Sequence, residues 1–220
     1  TLQTEYVSIL KELCESLSDE YQNIEYAAEK NFGSRKAPTS NVIHNIFATL
    51  KFRIISQKED DWIAIFNHYN LWMWHFLLLF TAARPVAEFP GFLKSFNLKR
   101  KICMVSYKEV GGRQGYGRLI PLGHFVVQEL QKFIDFLHYF KTQIAPSQPE
   151  IPQHIQQILE SKLPLLNIFQ DGQWYPLRPS IIKKSNPELS LLHENWHRHT
   201  ARAFLSHKIS EIEILALFGH

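Results

Sequence analysis

The stretch His193-Glu194-Asn195-Trp196-His197-Arg198-His199-Thr200 admits two readings, and the choice between them decides what kind of domain the chain forms. From the left it spells His-Glu-x-x-His. From the right it spells Arg-His-Thr, with a polar residue, Asn195, one helical turn ahead of the arginine. The first reading needs His193 and His197 on one face of a helix. The second needs partners for Arg198 elsewhere in the chain. Either way the spacing predicts a helix from about Leu191 to about His207.

Downstream of that stretch, Glu211 to Phe218 predicts a further helix, with Ser210 as its cap and Gly219 as its stop. Upstream, Pro176 to Leu189 reads as irregular, and Ile168 to Tyr175 as a tight hairpin around Asp171-Gly172. A short helix, His154 to Leu163, follows a proline-bearing linker from Pro146 to Pro152. Phe125 to Ile144 is an amphipathic helix with Phe125, Val126, Leu130, Phe133, Ile134, Leu137 and Phe140 on its buried side. Phe96 to Tyr107 reads as extended, then a glycine-rich turn from Val110 to Gly117 leads into a return strand, Arg118-Leu119-Ile120-Pro121-Leu122. That turn matches neither GxGxxG nor GxxxxGK[ST], so a nucleotide loop is not indicated.

Nearer the N-terminus, Ser40 or Asn41 caps a helix over Val42 to Ile55. Asp60 or Asp61 caps one from Trp62 to about Ala83 that is apolar on nearly every face. Such a helix belongs at the centre of a fold. Pro85 predicts that it stops there and that a new helix begins. Tyr6 to Phe32 is amphipathic, with steps of three and four between apolar residues, and Gly33 to Ser40 breaks it. Residues 1–39 therefore read as a helical segment and linker, and 40–220 as the main domain. The expected class is mainly α with a small antiparallel β-sheet, an α+β fold.

Composition narrows the function. With 220 residues, 45% of them apolar and 13% aromatic, the chain has ample material for a packed core. The apolar run Leu71 to Ala83 is far shorter than the ~20 residues of a membrane span, so no membrane is expected. Cys14 and Cys103 are far apart with no CxxC pairing, which suggests neither a disulfide framework nor a thiolate metal site and fits an intracellular compartment. Lys94, Lys99, Arg100, Lys101, Lys108, Arg113 and Arg118 crowd between Leu93 and Ile120 against one acid, Glu109. A segment of that charge suits phosphate neutralisation, although basic loops are also ordinary solvated surface.

The His-Glu-x-x-His reading makes a zinc peptidase, with Glu194 as general base and His207, Glu211 or Glu213 as third ligand. It uses nothing upstream of residue 193. The Arg-His-Thr reading draws in the whole chain. Thr81-Ala82-Ala83-Arg84-Pro85-Val86-Ala87-Glu88 resembles the first arginine box of the tyrosine recombinase (phage integrase) family, in which a core helix ends in Thr-Gly-x-Arg with Glu four residues later. Lys108, ahead of the turn and the strand Arg118-Leu119-Ile120-Pro121-Leu122, resembles the family's β-hairpin lysine. Asn195 to Thr200 resembles its His-x-x-Arg-His-Thr box, and Leu215-Ala216-Leu217-Phe218-Gly219-His220 its Leu-Gly-His box. The four occur in the family's order, over residues from about 40 to 220.

The resemblance implies a catalytic domain that cleaves and rejoins DNA at specific sites through a covalent 3′-phosphotyrosyl intermediate, with no metal and no other cofactor. Arg84 and Arg198 would stabilise the charge on the phosphate, Lys108 would protonate the departing 5′ oxygen, and His220 would assist proton transfer. Asn195 stands where the family has His, and donates a hydrogen bond without carrying a proton. Glu88, His199 and Thr200 would support the site. Trp196 and Phe204 read as core. Lys94, Lys99, Arg100, Lys101, Arg113, Arg118 and Arg202 would touch backbone phosphates of double-stranded DNA. None of the tyrosines present matches the nucleophile's position, which is expected beyond His220 in a longer polypeptide. Self-association into a DNA-bound tetramer and a cytoplasmic, DNA-associated protein of bacterial or mobile-element origin are further implications. A type IB topoisomerase, using closely related chemistry, is the nearest neighbour, and a non-catalytic DNA-binding relative is the other possibility.

Overall fold

In chain order the elements are α1 (Ser40–Ile55), α2 (Trp62–Thr81), a 3-10 turn (Leu93–Ser95), β1 (Phe96–Asn97), β2 (Ile102–Ser106), β3 (Gly117–Pro121), α3 (His124–Ile144), α4 (Ile151–Leu159), β4 (Asn167–Gln170), β5 (Gln173–Pro176), α5 (Pro179–Ser185), α6 (Trp196–Leu205) and α7 (Glu211–Phe218). This computed structural model describes residues 37–58, 61–86, 89–106, 117–185, 192 and 195–218. The helix expected over Tyr6 to Phe32 lies outside those residues, as do Glu88, Lys108, Arg113 and His220. The fold is mainly helical with small antiparallel sheets.

α2 is the hub. From Phe66 to Thr81 nearly every side chain is buried, including Asn70 and His75. A helix apolar all round must be covered on all sides, and α1, α3, α6 and β4 each pack on it. The Asp61 carboxylate caps its start, accepting from Ala64 N at 3.1 Å. On one flank Phe66 stacks on Phe140 of α3 at 4.7 Å between ring centres, and Tyr69 meets Phe133 edge-on at 5.1 Å. The α3 residues buried there include Val126, Leu130, Phe133, Leu137 and Phe140, as its periodicity predicts.

Two asparagines dock the second hairpin onto α2. Asn67 mimics a neighbouring strand: its amide donates to the Phe169 carbonyl and its carbonyl oxygen accepts from the Phe169 N–H, both at 2.8 Å. Asn70 accepts from the Asn167 N–H at 3.1 Å and donates back to the Phe66 carbonyl at 2.9 Å. The hairpin itself turns at Asp171 (φ 53°) and Gly172 (φ 75°), the two left-handed positions of a two-residue turn that matches strand twist.

The first sheet is a meander, β1-β2-β3, antiparallel throughout, with Cys103 opposite Ile120 and Val105 opposite Arg118. Alternation puts Cys103, Val105 and Ile120 inward and leaves Met104 and Leu119 exposed. Cys103 is a free, buried thiol whose pKa burial pushes up to about 12, with Arg118 acting in the opposite sense.

Four expectations need correction. No helix begins at Pro85 among the described residues: α2 ends at Thr81, and the backbone from 83 to 86 is irregular. The short helix after the linker runs Ile151–Leu159, because Pro152 sits in its first turn, where the lost N–H has no partner to miss. The segment read as irregular holds α5. And α6 starts only at Trp196, with Asn195 as its N-cap. Of the zinc reading's residues in this stretch, α6 carries His197, while His193 and Glu194 lie outside the described residues.

Candidate functional site

The last carbonyls of a helix have no partner within it and carry the negative end of its dipole. At the C-terminal end of α2 two arginines from distant parts of the chain answer that need. Ala82, in the left-handed conformation at φ 48° and ψ 30°, turns the chain out of the helix. Arg198 of α6 donates through Nη1 to the Ala82 carbonyl at 2.9 Å. Arg118 of β3 approaches the same carbonyl at 3.3 Å and that of Thr81 at 3.4 Å. Arg84 lies two residues on, with its side chain exposed.

Arg198 also reaches the far end of the chain. Its Nη2 donates to the Phe218 carbonyl at 2.6 Å, and its guanidinium carbon sits 4.6 Å from the centre of the Phe218 ring. It is 8% exposed. One guanidinium thus clasps the ends of α2 and α7, two residues short of Arg84 on one side and two short of His220 on the other. A buried charge is stable when its donors are matched in this way.

Asn195 lies one turn ahead of Arg198, and its side chain makes no capping bond to α6. His199 is half-buried, its N–H bonded to the Asn195 carbonyl at 3.0 Å. Thr200 is buried, and its Oγ1 finds no hydrogen-bond partner among the described residues. Trp196 is core, as expected, stacked on its neighbour His197 at 3.7 Å between ring centres. Phe204 packs half-buried against the same core. α7 starts with a reciprocal cap. The Glu213 N–H donates to Ser210 Oγ, while the Ser210 N–H and hydroxyl donate to the Glu213 carboxylate, which holds that acid below its usual range.

The basic residues expected on DNA divide into two sets. Lys94, Lys99, Arg100 and Lys101 are exposed on the 3-10 turn and the β1–β2 connection. That connection is a shaped turn: the Arg100 N–H donates to Asn97 Oδ1 at 2.9 Å, and Lys101 has φ 53°. Arg118 is instead half-buried and faces the end of α2. Arg202 is paired with Glu211 and so ties α6 to α7. The signal for Arg118 was in the strand alternation, since it lies two residues from the inward Ile120. For Arg202 the sequence held no such signal.

The pair that sequence reasoning missed is His75 and His197. Their rings meet between α2 and α6, with Nδ1 of His75 2.8 Å from Nε2 of His197. Burial lowers His75 to about 3; burial and then the neighbouring His75 lower His197 well below the usual histidine value. In the zinc reading His197 is a metal ligand. Its Nε2 is already engaged in this bond.

No family model and no curated protein matches the chain. Among solved structures it is similar to two of the Tn1549 transposon integrase, one in complex with transposon right-end DNA and one with a circular-intermediate DNA. Each is 17% identical with a TM-score of 0.46, and the match covers 84% of this chain. The chain spans 58% of the length of the integrase chain it matches.

Proposed function

We propose that residues 40–220 are the DNA breaking-and-rejoining part of a tyrosine-recombinase-type strand transferase, preceded by a helical segment and linker in 1–39. One observation carries this reading. The arginine of the Arg-His-Thr box, Arg198, links the end of α2, just before Arg84, to the end of α7, just before His220. Boxes more than a hundred residues apart in sequence meet at one guanidinium.

In this reading Arg84, exposed and next to the clasp, presents its fork to a DNA phosphate. Arg198 holds the framework and adds its fixed positive charge to the field at that point. The hydroxyl of a tyrosine expected beyond His220 passes its proton to His220 as it attacks phosphorus, and the phosphorus–O5′ bond breaks. The leaving oxygen takes a proton from Lys108, and the product is a 3′-phosphotyrosyl link that a 5′ hydroxyl later reverses. Lys94, Lys99, Arg100 and Lys101 contribute backbone affinity without sequence choice. Metal and nucleotide have no part in this chemistry, because the covalent link conserves the bond energy.

A non-catalytic DNA-binding relative is the second reading. It is favoured by Asn195, which cannot carry a proton where the family has a histidine. The two separate when the parent polypeptide is incubated with fragmented DNA and denatured. A protein joined covalently to 3′ ends supports the strand transferase. DNA binding without any covalent product supports the binding protein, and one equivalent of zinc with no DNA binding contradicts both.

A further inference from the structure

α6 packs on α2, and at that contact two imidazoles are buried edge to edge, close to one plane. The His75 and His197 rings lie 23° from parallel with centres 5.0 Å apart, Nδ1 of one bonded to Nε2 of the other at 2.8 Å. Trp196 stacks on His197, and Trp74 meets both rings edge-on, 5.0 Å from His75 and 5.8 Å from His197. The two remaining ring nitrogens, Nε2 of His75 and Nδ1 of His197, have no partner among the described residues. A neutral imidazole carries one N–H, so the bond forms when one ring donates and the other accepts. Each proton arrangement then leaves one buried donor and one buried acceptor unmatched.

Two leucines would fill this space without orphaned nitrogens. What the polar pair adds is selectivity of register. An apolar contact tolerates sliding and rotation, whereas an N–H···N bond holds at one setting of the helices. Advancing α6 by one residue would move it about 1.5 Å along its axis and turn it by about 100°. Arg198 is the next residue after His197, and its two carbonyl partners lie on different helices. Its clasp exists at one register only.

We infer that His75 and His197 form a positioning pair that fixes the register of α6 on α2 and thereby places the Arg198 guanidinium between the Ala82 and Phe218 carbonyls. This rests on the site reading above only for its functional consequence; the register claim concerns the folded chain alone. Burial keeps both rings neutral at neutral pH, the state in which the bond exists.

The test uses the 220-residue chain with 15N-labelled histidine and arginine. Expected are a scalar coupling between the two ring nitrogens across the hydrogen bond, and slowly exchanging Arg198 guanidinium protons at neutral pH. In the double variant His75→Leu/His197→Leu, amides of 199–205 should exchange about ten-fold faster or more while those of α3 keep their rates, and the slow guanidinium protons should be lost. The variant His75→Asn/His197→Gln, whose amides stand in for Nδ1 and Nε2, should restore both. A leucine variant with wild-type α6 exchange overturns the proposal, and so does wild-type chain without the ring–ring coupling, which decides the matter if the leucine variant fails to fold. No readout involves DNA, so a chain that cleaves no DNA leaves this inference standing, and failure here leaves the strand-transferase reading intact.

Discussion

Arg84 and Arg198 were expected to do the same work, and the structure gives them different surroundings. Arg198 is buried and donates to two backbone carbonyls, bonds of the charged kind that contribute about 1.5–3 kcal/mol each. Lysine cannot span both partners, so Arg198→Lys should lower unfolding free energy by roughly 2–4 kcal/mol, seen as a fall in the denaturant midpoint at unchanged slope. The buried histidines make a prediction with a definite sign. Both folded pKa values lie below the unfolded 6.5, so the unfolded chain binds more protons as pH falls below 6.5, for His75 down to about 3. Stability is therefore full above pH 6.5 and is lost as pH falls through that window, at up to about 1.4 kcal/mol per pH unit for each ring. Thermal unfolding of the wild type should drop steeply from pH 6.5 to 4.5, and that of His75→Leu/His197→Leu should drop much less; parallel curves would contradict the assignment.

At the scale of elements, the docking of β4 on α2 depends on Asn70, whose carbonyl oxygen satisfies the buried Asn167 N–H. Asn70→Leu leaves that donor unmatched and should cost about 1–3 kcal/mol, with the hairpin's amides losing more exchange protection than those of α3. Much of this level was legible beforehand. The amphipathic period of α3, the all-round apolar α2, the Asp-Gly turn and the return strand of the first sheet all follow from local pattern. What failed had a physical cause in each case. Pro85 was given the power to start a helix, but a proline only permits one. α5 was hidden because a seven-residue helix carries too little periodicity. α6 began late because three polar letters in a row, His193 to Asn195, say nothing about where a cap falls. At the site, the residue types of the boxes were visible and strand alternation turned Arg118 inward, but the partners of Arg118 and Arg202 were not legible, because an arginine's sequence neighbours rarely reveal which carbonyl or carboxylate it will reach.

For the whole molecule, the arrangement of charge matters more than its sum. A net charge of +3 is modest, yet Lys99, Arg100 and Lys101 occupy one exposed turn, with Lys94 close by in sequence. If these three each neutralise a DNA phosphate, replacing them with alanine should lower the slope of log affinity against log salt by about 0.9 per contact, or nearly three in all, for any duplex sequence. An unchanged slope would remove this turn from the interface. Among the described residues no helix is long and apolar enough to cross a membrane. The most direct measurement is the rate of covalent adduct formation between DNA and the parent polypeptide carrying Arg84→Ala. Arg84 is exposed, so its removal should leave stability within about 0.5 kcal/mol of wild type, while the adduct rate should fall by roughly a hundred-fold or more. A variant as stable as the wild type that forms adduct at the wild-type rate would contradict the proposed site.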